Sequence, residues 1–353
     1  MNTNLLKQLL DIPSVSGDEE NAISVFSNNL KDFCDIRYDD VGNCYALLNP
    51  SPDNKCSILL EAHIDEIGFQ VVYIDTDGFV YMRNNGGVDK NILPGSHVVI
   101  HTQEGKYLNG VIGQIPIHLK SKQEQENNLK LEDLWIDTGL HVDKVKEIVS
   151  IGDYVSFKSN CVELGDNRIV SKGLDNKIGV FIIMEVLKEL SKDKLSKDSI
   201  SICGVASVQE EIGCKGSQVI VSNVYPEEAI IIDLGFATDM PSSEKKQFGD
   251  IALGKGVMIS CHPDSSKQMK KDFVELAKAY DISYQLSPHF KASGGTDTPK
   301  IQLSERGLKT ILLSIPNRYM HTQVEMCDYR DIEAAISLIV AYIESKYLPC
   351  QQL

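Results

Sequence analysis

Apolar and polar positions alternate with two different periods along this 353-residue chain. Near the N-terminus Leu5, Leu6, Leu9 and Leu10 recur at helical spacing, and residues 19–33 place Ile23, Phe26 and Leu30 on one helical face. A short apolar run at 57–60 reads as a strand that opens into Glu61, Ala62 and His63. From about residue 68 to 164 the character changes to short β-type runs separated by turn dipeptides. Runs 69–74 and 79–82 flank Asp77-Gly78, runs 98–102 and 107–112 flank Glu104-Gly105, and the polar stretch 121–129 reads as a surface loop. Beyond Arg168 helices and strands take turns: helix 178–190, strand 200–206, strand 229–232, helix 269–280, strand 310–315 and a closing helix 331–347. That rhythm predicts an α/β fold, a mostly parallel mixed sheet sandwiched by helices. Residues 1–66 and 166–353 then form the main domain, interrupted by a small β-rich insert domain at 67–165.

Composition narrows the class. A 42% hydrophobic and 24% charged chain is ordinary for a globular protein. The net charge of −15 repels phosphate backbones and anionic lipid, so neither nucleic acid nor a membrane surface is expected as a partner. Nine cysteines are scattered singly without a C-x-x-C pair, which predicts reduced thiols and a cytoplasmic setting. The N-terminal helix lacks the basic and apolar regions of a signal peptide, and no apolar run reaches the roughly 18 residues of a spanning helix.

Several acids and histidines fall where predicted strands end: His63, Asp65, Glu210, Glu211 and Asp233. Ligands of open α/β sheets bind beyond the carboxyl ends of the strands, so these distant residues are candidates to meet in one crevice. His63 and Asp65, two apart in extended chain, face one side, which suits a metal-binding imidazole supported by a carboxylate. Glu210 and Glu211 diverge as neighbours, so one can bind a cation while the other faces a water, the division hydrolysis needs. Asp175 opens a predicted helix and His321 follows a strand. Each also has a plainer reading alone: a buried histidine, a solvated acidic pair, a helix cap, a turn residue. Together, two imidazoles and three carboxylates make a nitrogen–oxygen donor set for Zn²⁺, with Co²⁺ or Mn²⁺ also suited, and balance two divalent ions plus one hydroxide.

The segments AHIDEIG (62–68), KGLDNKIG (172–179), VQEEIG (208–213), IIDLGFATDMP (231–241), GGTDT (294–298) and RYMHTQVE (318–325) carry a resemblance. In order and spacing, the chain resembles the M42 metallo-aminopeptidases, the glutamyl-aminopeptidase and tetrahedral aminopeptidase group. GVIGQIPIHL (110–119) and LEDLWIDTG (131–139) extend the likeness into the insert. The resemblance implies two divalent metal ions per subunit: one held by His63 and Asp233, the other by Glu211 and His321, with Asp175 bridging them. It implies Glu210 as general base for a metal-bridged hydroxide, Asp65 supporting His63, and a cis peptide bond after Asp175. It further implies peptide substrates with a free N-terminus, a dimerising insert, and a homo-oligomer such as a dodecamer. Three other readings stand beside it: a binuclear N-deacylase of small amides, a glycoside hydrolase using two of the acids, and a silent assembly subunit. His97, His101, His118 and His141 in the insert read as structural, His262 and His289 as surface or pocket wall, and Gly294-Gly295 as a turn or a space beside substrate.

Overall fold

The structure, a computed structural model, describes residues 1–53, 55–120, 128–192, 200–288, 295–304 and 307–347. Most of the 121–129 stretch, together with His289 and Gly294, lies outside the described residues.

The α/β rhythm builds one eight-stranded sheet in the order Asp35–Tyr38, Cys44–Leu48, Ile202–Ser207, Ile58–His63, Glu228–Phe236, Lys309–Asn317, Val257–Ser260, Tyr284–Ser287. Ile202–Ser207, Ile58–His63, Glu228–Phe236 and Lys309–Asn317 run parallel at its centre, and antiparallel pairings flank them. The central strands are apolar and buried almost throughout because both faces are covered. Successive residues alternate between two cores. Ile58, Leu60, Ile230 and Ile232 join the larger one with the helices Thr3–Asp11, Glu20–Leu30, Leu174–Leu190 and Tyr329–Tyr347. Leu59, Ala229 and Ile231 join the smaller one with the helix Ser217–Val224. Gly204 lets the helix Leu174–Leu190 close onto the sheet: a Cβ there would stand 2.6 Å from Ile183 Cγ2 and 2.7 Å from Leu187 Cδ1.

The β-type runs between the two halves of the sheet close into a six-stranded barrel, in the order Gly68–Ile74, Val80–Asn85, Trp135–Asp137, Tyr107–Gly113, His97–His101, Tyr154–Phe157. Its own core holds Phe69, Val80, Ile100, Ile136 and Phe157. Alternation along each strand sends one set of side chains inward, which is why hairpin patterns read in sequence become a closed wall. The helix Val142–Ile148 in this insert has no counterpart in the sequence pattern: it is two turns long and buries only Val145, too little periodicity to register. Val162–Leu164 already pairs with Arg168–Ser171, which pairs in turn with Glu325–Asp328.

His101 is one tie of the insert to the main domain. Its Nδ1 lies 2.5 Å from Asp18 Oδ2 and its Nε2 2.9 Å from Ser156 Oγ, and Asn85 Nδ2 donates to Ser16 O at 2.7 Å beside it. No helix among the described residues is long and apolar enough to cross a membrane.

Candidate metal centre

Parallel register explains how residues far apart in sequence meet. Ile231 pairs with Glu61, so Asp233 and His63 stand two residues further on, level with each other on neighbouring strands. Ser207 pairs with His63, which delivers Glu210 and Glu211 to the same edge just beyond the strand. Asp175 arrives from the other direction, at the start of the helix Leu174–Leu190. Asp175 and Asn176 are not helical, and the peptide bond between them is cis, as the family resemblance implied. Regular helix therefore begins near residue 178, where the sequence periodicity placed it. Gly173 turns into this segment at φ +60°, and a Cβ there would sit 2.2 Å from Glu66 Oε2, so both conformation and space call for glycine. Asn176 fastens the segment to the sheet by donating to Ile232 O at 2.8 Å.

His63 Nε2 lies 3.4 Å from Asp175 Oδ1, 3.7 Å from Asp233 Oδ1 and 3.9 Å from Glu210 Oε2. His321 Nε2 lies 3.6 Å from Asp175 Oδ2 and 3.4 Å from Glu211 Oε2. Two groups, His63–Asp175–Asp233 and Asp175–Glu211–His321, thus share Asp175 through its two different oxygens, each group with ligand atoms within 4.8 Å of one another. They line a cavity of about 400 Å³ together with Glu210, Cys214, Leu234, Phe236, Met258 and Met320.

The tautomers follow from the backbone. His63 Nδ1 is 3.1 Å from the carbonyl of Asp65, and His321 Nδ1 is 2.9 Å from the carbonyl of Gly87. A carbonyl only accepts, so each Nδ1 carries a hydrogen, and a neutral ring would turn the lone pair of Nε2 toward the carboxylates. Lone pairs would then face carboxylate oxygens across gaps longer than a hydrogen bond. Asp175 Oδ1 is buried without a hydrogen-bond partner among the described residues. Such an arrangement repels itself unless cations lie between, and imidazole nitrogen with carboxylate oxygen is the donor set of zinc-like ions. The residues fit two divalent ions.

The electrostatics agree. Burial pushes Glu210 up to about 8; the nearby His63 opposes this, and the Asp297, Asp233 and Asp65 carboxylates add to it. Burial and then Asp175 raise Glu211 well above the carboxylate range, and burial lifts Asp233 to about 6. Burial would lower His63, but Asp175, Asp233 and Asp65 outweigh it and raise it. Buried acids raised in this way mark a cluster short of positive charge, which bound cations would supply.

Asp65 Oδ1 lies 3.5 Å from Nδ1 of His63, the imidazole it is expected to support, and the residue has a second task. Its main-chain carbonyl holds His63, while its side chain is wholly buried and accepts from Glu210 N at 2.9 Å, Glu211 N at 3.1 Å and Ser16 Oγ at 2.5 Å. It sets the backbone of both glutamates. Glu325 does the same on the other side, accepting from Asp175 N and His321 N at 3.0 Å each. Glu325 lies in a recognised segment without an assigned role, and Gly87 and Ser16 have none either. The Gly86-Gly87 pair, directly after the strand Val80–Asn85, is the local signal that could have pointed to the contact of Gly87 with His321. His97, His118 and His141 do not line the cavity.

Comparison with known proteins follows this geometry. The family model described as M42 glutamyl aminopeptidase matches residues 42–338. The chain is 32% identical to the lysyl aminopeptidase of Pyrococcus furiosus, covering 96% of each, and 25% identical to the glutamyl aminopeptidase of Lactococcus lactis, covering 96% of this chain and 95% of that one. Among solved structures, an aminopeptidase of Desulfurococcus kamchatkensis is similar at a TM-score of 0.88 and 30% identity, covering 98% of this chain and 94% of that one. The TET1 peptidase of Pyrococcus horikoshii, which can assemble into a tetrahedron or a large octahedral shell, gives 0.85 and 31% over 96% of this chain and 98% of that one. A protein of Thermotoga maritima named as an endoglucanase gives 0.76 and 31% over 96% of each.

Proposed function

Since this chain belongs to the M42 glutamyl aminopeptidase family and is an aminopeptidase, we propose that it removes N-terminal residues from peptides with two divalent ions and Glu210 as general base. The observation that carries this reading is the pair of donor groups joined by the two oxygens of Asp175. His63 and Asp233 would hold one ion, Glu211 and His321 the other, and Asp175 both. Zinc suits the set first, then cobalt or manganese. When bound, the ions supply Lewis acidity that polarises the scissile carbonyl and eases loss of a proton from water. Glu210 Oε2 takes that proton from the attacking water and passes it to the leaving amine. Asp65 aims Glu210 by fixing its backbone. The carboxylates of the same cavity attract the free α-ammonium, which restricts cleavage to the first peptide bond.

Leu234, Phe236, Phe248, Met258 and Met320 wall the cavity beside these acids, and no Lys or Arg is among its described lining residues. A charged side chain pressed on that wall stays poorly solvated, whereas leucine or methionine gains apolar burial. Leucyl and methionyl nitroanilides should therefore exceed glutamyl and lysyl ones by about tenfold or more in kcat/KM. The assay is run on metal-stripped and metal-restored protein. Absence of turnover after restoration removes the reading, and N-acetyl-leucyl substrate cleaved as fast as the free amine moves it to the N-deacylase. Glycoside hydrolysis is not favoured, because two imidazoles aimed at a shared aspartate have no task between two carboxyls.

The relatives' shells lead us to extend assembly to this chain, with insert 67–165 as the dimerising element. Ile115, Ile117 and Leu119 are exposed there in a row of apolar side chains. Light scattering should find a dodecamer-sized particle; a monomer at micromolar concentration contradicts it. The described cysteines are all free, which supports a reducing, cytoplasmic setting.

A further inference from the structure

On the side of Glu210 away from the two donor groups lies a third cluster, which the reading above does not use. Cys214 Sγ is 3.2 Å from Glu210 Oε1 and 3.6 Å from the carbonyl oxygen of Thr296. Ligand atoms of Glu210, Cys214 and Asp297 lie within 4.8 Å of one another. Asp297 is 2% exposed, and its Oδ1 has no hydrogen-bond partner among the described residues. A buried carboxylate oxygen without a donor is costly, and a cation is one way to satisfy it. Glu210, Cys214 and Thr296 all line the cavity, so an ion in solution can reach the cluster.

We propose that Glu210, Cys214 and Asp297, with the Thr296 carbonyl, form a third, inhibitory site for a soft divalent cation of the zinc or cadmium class. One sulfur and three oxygens supply four donors, and the sulfur selects Zn²⁺ and Cd²⁺ over Mn²⁺ or Mg²⁺. On entry the cation replaces the Cys214 Sγ proton, which leaves to solvent; a metal–sulfur bond forms, and nothing is oxidised or reduced. Burial, then the Asp297 and Glu210 carboxylates, push this thiol up, so the proton is displaced at a cost. Binding must displace that proton, so the third ion enters when soft cation is in excess. Once there, it occupies the carboxylate that must accept a proton. The inhibition rests on Glu210 being the general base; the binding does not.

The test uses the full-length protein with both catalytic ions restored, titrated with CdCl₂ and, separately, MnCl₂. Bound metal is counted after equilibrium dialysis, the ultraviolet thiolate-to-cadmium band is recorded, and nitroanilide hydrolysis is followed. The expected result is a third metal equivalent taken up as cadmium, a charge-transfer band and loss of activity, none of them produced by manganese. Cys214→Ser should lose the third equivalent and the band, and, measured against its own cadmium-free rate, raise the half-inhibitory cadmium concentration by about tenfold or more. Cys214→Ala is the second variant, and circular dichroism confirms that each folds. Equal cadmium inhibition of parent and both variants, or a parent with neither third equivalent nor band, overturns the proposal. If the restored parent cleaves no substrate, the aminopeptidase reading falls, while metal count and absorbance still decide the site.

Discussion

Replacing Glu210 with glutamine is expected to leave the metal content unchanged and to lower peptide hydrolysis by roughly 10²–10⁴-fold, the usual contribution of a general base. Glutamine keeps the volume and the backbone N–H that Asp65 Oδ1 receives at 2.9 Å, so the loop holds its shape. It cannot take a proton from water. The proposed ligands His63, Asp175, Glu211, Asp233 and His321 are untouched, so elemental analysis should return the parental stoichiometry. Because the lost interaction is made in the transition state, kcat should fall far more than KM changes. A variant that keeps a rate within a few-fold of the parent places the base elsewhere.

Asp175→Ala is expected to have the largest effect on the ions themselves. Asp175 Oδ1 faces His63 Nε2 at 3.4 Å and Oδ2 faces His321 Nε2 at 3.6 Å, so one side chain serves both groups. Removing it takes a donor from each and leaves the remaining acids closer to mutual repulsion. Affinity for both ions should fall by at least about 10–100-fold, with activity at background. His63→Ala and His321→Ala should each weaken one centre alone. Thermal melts give a second readout: an ion present at about 1,000 times its dissociation constant adds about 4 kcal/mol of stability. Added zinc should raise the Tm of the stripped parent and leave that of Asp175→Ala nearly unmoved. Retention of both ions by this variant would show that the carboxylate does not bridge.

Much of the fold was legible because its elements are long enough to show a period. The strand read at 57–60 is the beginning of Ile58–His63, and the closing helix read at 331–347 is nearly all of Tyr329–Tyr347. Strand ends ran further than the apolar pattern, as at Glu228–Phe236, because the ladder continues through Asp233 and Gly235 toward the site. The candidate ligands could be named because they lie at such ends and within segments of a known resemblance. What supports them left less trace. Glu325 accepts from backbone groups at Asp175 and His321, and Asp65 accepts from Glu210 and Glu211, about 145 residues away. A carboxylate that receives a distant N–H needs no local pattern around it, so periodicity and spacing are silent about such partners.

The residues themselves therefore determined the alternation of strands and helices, the separate β-rich insert and the types of donor available. Period-2 and period-3.6 burial are local, written into neighbours a few positions apart. The tertiary structure alone decided that Asp233 stands level with His63, that one aspartate turns an oxygen toward each imidazole, and that Gly87 of the insert sets the ring of His321. These depend on strand register and on backbone carbonyls brought together by the packing of whole elements, and a difference of one residue in register would turn the same side chains to the opposite face.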